Sequence, residues 1–346
     1  MGPEAERYRA MDIQAVGAAL IRPGQLLTDR GALSAAERWT QAVSEADGVF
    51  RIRLTPGEDP CEIAMRLREE GHRAGPNHVL TGQPLWFGGP ASRPFPAAPL
   101  EPPPGADGPP VRVAVVDTGI AAHPWWAKSD WYRRLGPEAA DRPDDDGDGE
   151  LEAQAGHGTF IAGLIQRRAP RAAFQVARVL GADGVGDEAG LLRALNRLRP
   201  DPPQVLNLSL GCHTFDDEPS RLVADAVASL EGTVTVACAG NTASERPFWP
   251  AALPGVVGVG ALDAAQERRT PYSAHGPWVD AWARGDWLTS TFLEFGEFEG
   301  FASWSGTSFS AALVSGAFAA APGVRHVADL PDSQEIPGVG VVVHST

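Results

Sequence analysis

Downstream of residue 110 the chain alternates two kinds of segment. The runs 111–116, 174–180, 205–210, 233–239 and 256–259 are short, apolar and rich in β-branched residues. Between several of them lie stretches with helical spacing, 159–168, 188–199 and 220–230. In the second of these, Leu191, Leu192, Leu195 and Leu198 form one apolar face, and Asp187 stands where an N-cap belongs. A strand buried on both faces reads as an unbroken apolar run, and parallel neighbours need helical crossovers. The pattern therefore predicts an α/β domain with a doubly wound central parallel sheet, and any ligand should bind outside the carboxyl ends of its strands.

Upstream the texture changes. Nine of the residues from 90 to 110 are proline, a run that fits neither a helix nor a sheet interior and reads as an extended linker. Before it, 49–54 alternates apolar and basic residues, Pro56-Gly57 ends that run, and Asp59 can cap a helix reaching about residue 70. His78-Val79-Leu80 reads as another short strand. The expected organisation is a small α+β accessory domain over 1–89, a proline-rich linker over 90–110 and the main domain over 111–346.

Composition removes several functions. The chain has 29 Lys+Arg against 44 Asp+Glu, a formal net charge of −15. Non-specific nucleic-acid binding and attachment to an anionic membrane both need a basic surface, so neither partner is expected. No apolar run is long enough for a transmembrane helix. Cys61, Cys212 and Cys238 are too few and too odd for a disulfide framework. The segment 1–14 lacks a basic-then-apolar leader layout. These features lead to the expectation of a soluble cytoplasmic protein.

The residues just beyond each apolar run are chemically informative. Asp117-Thr118-Gly119 comes after the first. Gly156-His157-Gly158-Thr159 opens a helical stretch. Gly211 comes after the 205–210 run, Gly240-Asn241 after the 233–239 run, and Ser305-Gly306-Thr307-Ser308 opens the apolar segment 309–320. One Asp, one His and one Ser, each beside glycine at an element junction, suit nucleophilic acyl transfer. A serine hydroxyl needs an imidazole to take its proton, and the imidazole needs a carboxylate to hold its tautomer. A developing oxyanion needs fixed donors, which the Asn241 amide and the Ser308 backbone N–H could supply.

The four blocks Asp117-Thr118-Gly119, Gly156-His157-Gly158-Thr159, Ala239-Gly240-Asn241 and Gly306-Thr307-Ser308 resemble the signature blocks of the subtilisin-like serine proteases, in that family's order. The resemblance extends over about 111–320. It implies Ser308 as nucleophile, His157 as general base and then acid, Asp117 as the group orienting His157, and Asn241 as an oxyanion donor. It further implies that Ser209, Leu210 and Gly211 pair with an extended substrate backbone, and that Ala239 and Gly240 line the pocket for the side chain before the scissile bond. The implied activity is a serine endopeptidase acting through an acyl-enzyme on peptide or protein substrates, with a precursor or leader peptide as a candidate for a dedicated target. The optimum should be neutral to alkaline, since His157 must be neutral to act as base.

The resemblance also implies a propeptide-like role for the N-terminal domain, which would occupy the cleft in cis. The alternative for that domain is a permanent unit that selects substrates, and the alternative for the function is a catalytically silent fold that binds peptides. Two departures stand out. Phe309 and Ala312 replace the family's methionine and proline after the serine, and the tail after Pro322-Gly323 is short, which predicts a thinly covered catalytic helix. No cofactor is expected. The acidic loop Asp144-Asp145-Asp146-Gly147-Asp148 resembles part of a calcium loop, but Ala155 stands where the bidentate glutamate belongs. It reads as a solvated loop, with weak calcium binding as the other reading. Cys238 reads as an inert buried thiol, and the tryptophans as core or cleft wall.

Overall fold

The computed structural model describes residues 10–82 and 93–345. The first part of the proline-rich stretch, 90–92, lies outside the described residues, as does most of the segment 1–14. The chain divides into two compact units.

The first unit comprises 1–80 together with 186–201 and 212–231. Its sheet is antiparallel, with Ala19–Thr28 paired on one side to Val49–Leu54 and on the other to the strand Ala74–Thr81. Thr40–Ala46 is hairpinned onto Val49–Leu54. The helix Pro60–Glu69 starts where Asp59 accepts the backbone N–H of Cys61 at 2.7 Å. It lays Ile63, Ala64 and Leu67 on Leu26, Ile52 and Leu54. The sequence reading finds the 49–54 strand and this helix but misses Ala19–Thr28 and Thr40–Ala46. The first of these is broken by Pro23-Gly24, and the second is exposed along most of its length, so neither carries a clean alternation. The helices Glu188–Leu198 and Arg221–Ala228 belong to this unit. His78 Nδ1 lies 3.1 Å from Glu188 Oε2 with both side chains buried, and Asn77 accepts the N–H of Ala189 at 3.1 Å.

The second unit holds the predicted parallel sheet. Its strands are β1 (Val111–Asp117), β2 (Ala172–Arg178), β3 (Val205–Leu208), β4 (Val234–Cys238), β5 (Val256–Leu262), β6 (Ala281–Arg284) and β7 (Gly340–Val343). They run in the order β2-β1-β3-β4-β5-β6-β7, all parallel. The order reverses between β1 and β3, so the crevice at their carboxyl ends is where such a sheet receives a ligand. Helix α1 (His157–Arg168) packs Phe160, Ile161, Leu164 and Ile165 into the core, and in helix α2 (Thr307–Ala320) every residue but Ala320 is buried. A helix apolar on all sides is a core element.

That burial overturns the expectation of a thinly covered catalytic helix. The short tail folds into Ser333–Ile336 and β7, which extend the sheet beyond β6. Arg168 ties the tail down by donating to the carbonyl of His344 and to Asp332. The proline-rich stretch also has a seat: Phe95–Pro96 adds to the free edge of the hairpin Leu288–Phe295/Phe298–Trp304, an edge position that proline tolerates. No helix among the described residues is long and apolar enough to cross a membrane; nothing further in the fold bears on the cytoplasmic placement.

Candidate active site

Asp117 is the last residue of β1 and His157 the first of α1; both side chains are fully buried. His157 Nδ1 lies 2.8 Å from Asp117 Oδ1, and the same oxygen accepts the N–H of Thr118 at 2.8 Å. A carboxylate accepts, so Nδ1 carries a ring proton toward Asp117 and Nε2 is the nitrogen left to exchange one. Nε2 is buried with no hydrogen-bond partner. Trp304 meets the imidazole edge-on at 5.5 Å between centroids and Phe309 packs at 5.3 Å, so the replacement of methionine at 309 walls the ring with a phenyl group.

The glycines around this pair are there for close approach. A Cβ at Gly158 would stand 2.2 Å from the carbonyl oxygen of Gly119, and one at Gly119 would stand 2.6 Å from the backbone nitrogen of Asp141. Only with both side chains absent can α1 press its first turn against the loop after β1. Gly158 N–H donates to Thr118 Oγ1 at 3.0 Å, and Ala121 N–H donates to Thr159 Oγ1 at 2.9 Å. These bonds lock the Asp117 loop to the His157 helix.

Ser308 lies in the first turn of α2, fully buried. Its Oγ is 3.3 Å from the carbonyl oxygen of Ser209 and 3.2 Å from that of Gly82. Asn241, just beyond β4, turns its Oδ1 toward the same turn of α2: Thr307 donates to it through N–H at 2.9 Å and through Oγ1 at 3.0 Å. Thr307 Oγ1 accepts in turn from Gly240 N–H at 3.1 Å. With Oδ1 held twice, the amide orientation is set and its donor end, Nδ2, is directed oppositely. Cys238 ends β4, and burial pushes its thiol up to about 12, so no thiolate nucleophile is present at neutral pH.

Ser209, Leu210 and Gly211 continue from β3 along the crevice and are buried. Ser209 Oγ bonds to Asn207 Oδ1 at 2.9 Å and to the Ser308 carbonyl at 3.0 Å. Gly211 pairs antiparallel with Thr81, with Thr81 N–H to Gly211 O at 3.0 Å and the reverse bond at 3.1 Å. Gly82 N–H reaches the carbonyl of Gly184 at 3.3 Å. Thr81-Gly82 thus lies as an extended strand between 209–211 and the segment holding Gly184. Sequence reasoning does not find Thr81, Gly82 or Gly184. A backbone pairing between positions as distant as 81 and 211 leaves no mark on side-chain pattern. Ala239 and Gly240 stand beside this crevice, Ala239 N–H bonded to Val259 O at 2.8 Å.

Asp141 is a further residue the motifs do not show. It is buried and caps α1 from outside: Oδ1 accepts Gly156 N–H at 3.2 Å, and Oδ2 accepts Thr159 N–H at 3.3 Å and Thr159 Oγ1 at 2.8 Å. Away from the crevice, the acidic loop brings Asp144, Asp146 and Glu152 oxygens within 4.8 Å of one another. Glu152 accepts the N–H groups of Asp145 and Asp146, and Asp144 those of Gly147 and Gly149. The loop is folded on its own amides.

A family model described as the subtilase family matches residues 108–324. The chain is 33% identical to subtilisin BL of Lederbergia lenta over 62% of this chain and 77% of that protein. It is 32% identical to subtilisin Savinase of the same organism, again over 62% of this chain and 77% of that protein. To an alkaline protease of Alkalihalobacillus alcalophilus it is 32% identical over 62% of this chain, which spans 54% of that relative's length. The family match covers more than half of the sequence, and the chain belongs to the subtilase family, as a serine protease of the subtilisin type.

Proposed function

We propose that this protein is a serine endopeptidase whose reaction is carried by Ser308, His157, Asp117 and Asn241. The observation that carries the reading is the peptide already seated in the crevice. Thr81 pairs with Gly211 by two backbone bonds while the Gly82 carbonyl accepts from Ser308 Oγ, the way an extended substrate would add to an open strand.

In the reaction, Ser308 Oγ attacks the scissile carbonyl carbon as its proton passes to His157 Nε2. Asp117 holds the imidazolium through Nδ1–H. The carbonyl oxygen becomes an oxyanion, met by Asn241 Nδ2 and the Ser308 N–H. Collapse breaks the C–N bond and the leaving amine takes the proton from Nε2. Water then repeats the sequence on the acyl-enzyme, with His157 first as base and then as acid. The substrates are peptide bonds in extended segments, with a precursor or leader peptide as the dedicated target. The segment Thr81-Gly82 acts in cis as a propeptide-like occupant of the cleft.

The test is hydrolysis of a quenched peptide by the full chain and by Ser308→Ala and His157→Ala. Each variant should lose activity by about 10⁴-fold or more, the scale on which subtilisin responds to loss of a triad member. Folded variants that keep wild-type turnover would refute the assignment.

A further inference from the structure

Phe248 lies against Gly211, at the end of the expected substrate strand, and against Gly240, in the segment expected to line the pocket for the side chain preceding the scissile bond. A Cβ at Gly211 would stand 2.4 Å from Phe248 Cε1, and a Cβ at Gly240 would stand 3.0 Å from Phe248 Cδ1 and Cγ. One phenyl ring therefore packs against two glycines that follow different strands of the sheet, Gly211 beyond β3 and Gly240 beyond β4. It bridges the gap between them, and the Trp249 carbonyl, 2.5 Å from the same Cβ position at Gly211, closes it further. The ring is 6% exposed, so it is a buried part of the wall and not a mobile surface group.

From this we infer that Phe248 fills the pocket from within, and that the enzyme cleaves after small residues, glycine and alanine, and rejects large apolar ones. The inference rests on the function proposed above and names its substrate class. The physical reason is volume. The space between two backbone segments that could take an aromatic side chain is already occupied by one, and interiors at crystal-like packing density do not admit a second. A large side chain could enter only by expelling the Phe248 ring, whereas a hydrogen or methyl group needs no such displacement. A Cβ at Gly211 would collide with the ring, and one at Gly240 would crowd it. Their absence of side chains serves the plug as well as the substrate.

The experiment uses four quenched peptides that differ only in the residue before the scissile bond: Gly, Ala, Leu and Phe. The enzymes are the full chain carrying Thr81→Pro, which removes the N–H that Thr81 donates to Gly211, and the same chain with Phe248→Gly or Phe248→Val. Phe248→Val keeps an apolar side chain at the site should Phe248→Gly fail to fold. The parent should favour Gly and Ala over Leu and Phe in kcat/KM by at least about tenfold. Phe248→Gly should reverse that order, and Phe248→Val should gain on Leu before Phe. A parent that prefers Leu or Phe, or a Phe248→Val chain with an unchanged order, overturns the inference alone. Loss of cleavage in Ser308→Ala with that unfavourable order would leave the proposed function standing. Failure of the parent to cleave any of the four, or cleavage that survives Ser308→Ala, overturns both.

Discussion

Thr307 shows how a site residue can be set by a neighbour that does no chemistry. Its N–H and hydroxyl both hold Asn241 Oδ1, and its hydroxyl also receives Gly240 N–H. Replacing the hydroxyl by a methyl of similar size removes one of the two bonds that orient the amide and leaves Gly240 N–H without its acceptor. Loss of a whole oxyanion donor lowers turnover by about 10²–10³. Thr307→Val, which loosens a donor without deleting it, should lower kcat by about tenfold and leave KM within twofold. Steady-state kinetics on one peptide decides it; an effect confined to KM would contradict the positioning role. At this scale the sequence is informative where glycine and a polar residue share a junction. Asp117, His157, Asn241 and Ser308 each stand at such a junction; the structure pairs Asp117 with His157 and ties Asn241 to the turn of α2 that holds Ser308, while Ser308 Oγ bonds to Gly82 and Ser209 and His157 Nε2 has no partner. Asp141 and Phe248 are not legible. Each is an ordinary residue type in a loop, and what gives it meaning is a contact with a segment distant in sequence.

Helix α1 carries His157 at its first position, yet its N-cap is Gly156, which has no side chain to offer its exposed N–H groups. Asp141 fills that role from another loop, accepting from Gly156 and Thr159. Burial pushes its carboxyl up to about 6, with the Thr159 and Gly156 hydrogen bonds opposing and the Asp117 charge adding to the rise. In the unfolded chain the group titrates near 4. Between about pH 4 and 6 the native state binds more protons at this position, so its contribution to stability falls as pH rises through that window. Asp141→Asn removes the titration. Urea unfolding of both chains across the window should show the variant gaining stability relative to wild type as pH increases; a constant offset would contradict this account. Elements obey the same logic of legibility. β1, β3, β4 and the helix Glu188–Leu198 are readable because burial on two faces or one leaves a regular pattern. β6 (AWAR) and β7 (GVVV) are four residues long and borrow their regularity from neighbours. The hairpin Leu288–Phe295/Phe298–Trp304 has charged residues beside its turn and a register shift between Thr291 and Glu294, which blurs its alternation.

Over the whole chain, the strand Ala74–Thr81 begins among residues of the first unit and ends at Thr81, within the second. Its last residue and Gly82 occupy the crevice of the unit that holds Ser308. The overall class, a parallel α/β sheet with its site at the carboxyl ends, is legible because alternating elements admit few topologies. The seating of Thr81-Gly82 is not, because it depends on backbone pairing and carries no side-chain signature. A cleft filled by its own chain should be slow toward any reagent, and removing one of its two pairing bonds should open it. The direct measurement is intact-mass spectrometry of the wild type, Thr81→Pro and Ser308→Ala after timed exposure to a fluorophosphonate, with the adduct mapped by digestion. The account predicts a single adduct on Ser308, formed faster in Thr81→Pro than in wild type, and none in Ser308→Ala. A folded Thr81→Pro chain without an adduct, or an adduct that persists in Ser308→Ala, would contradict it.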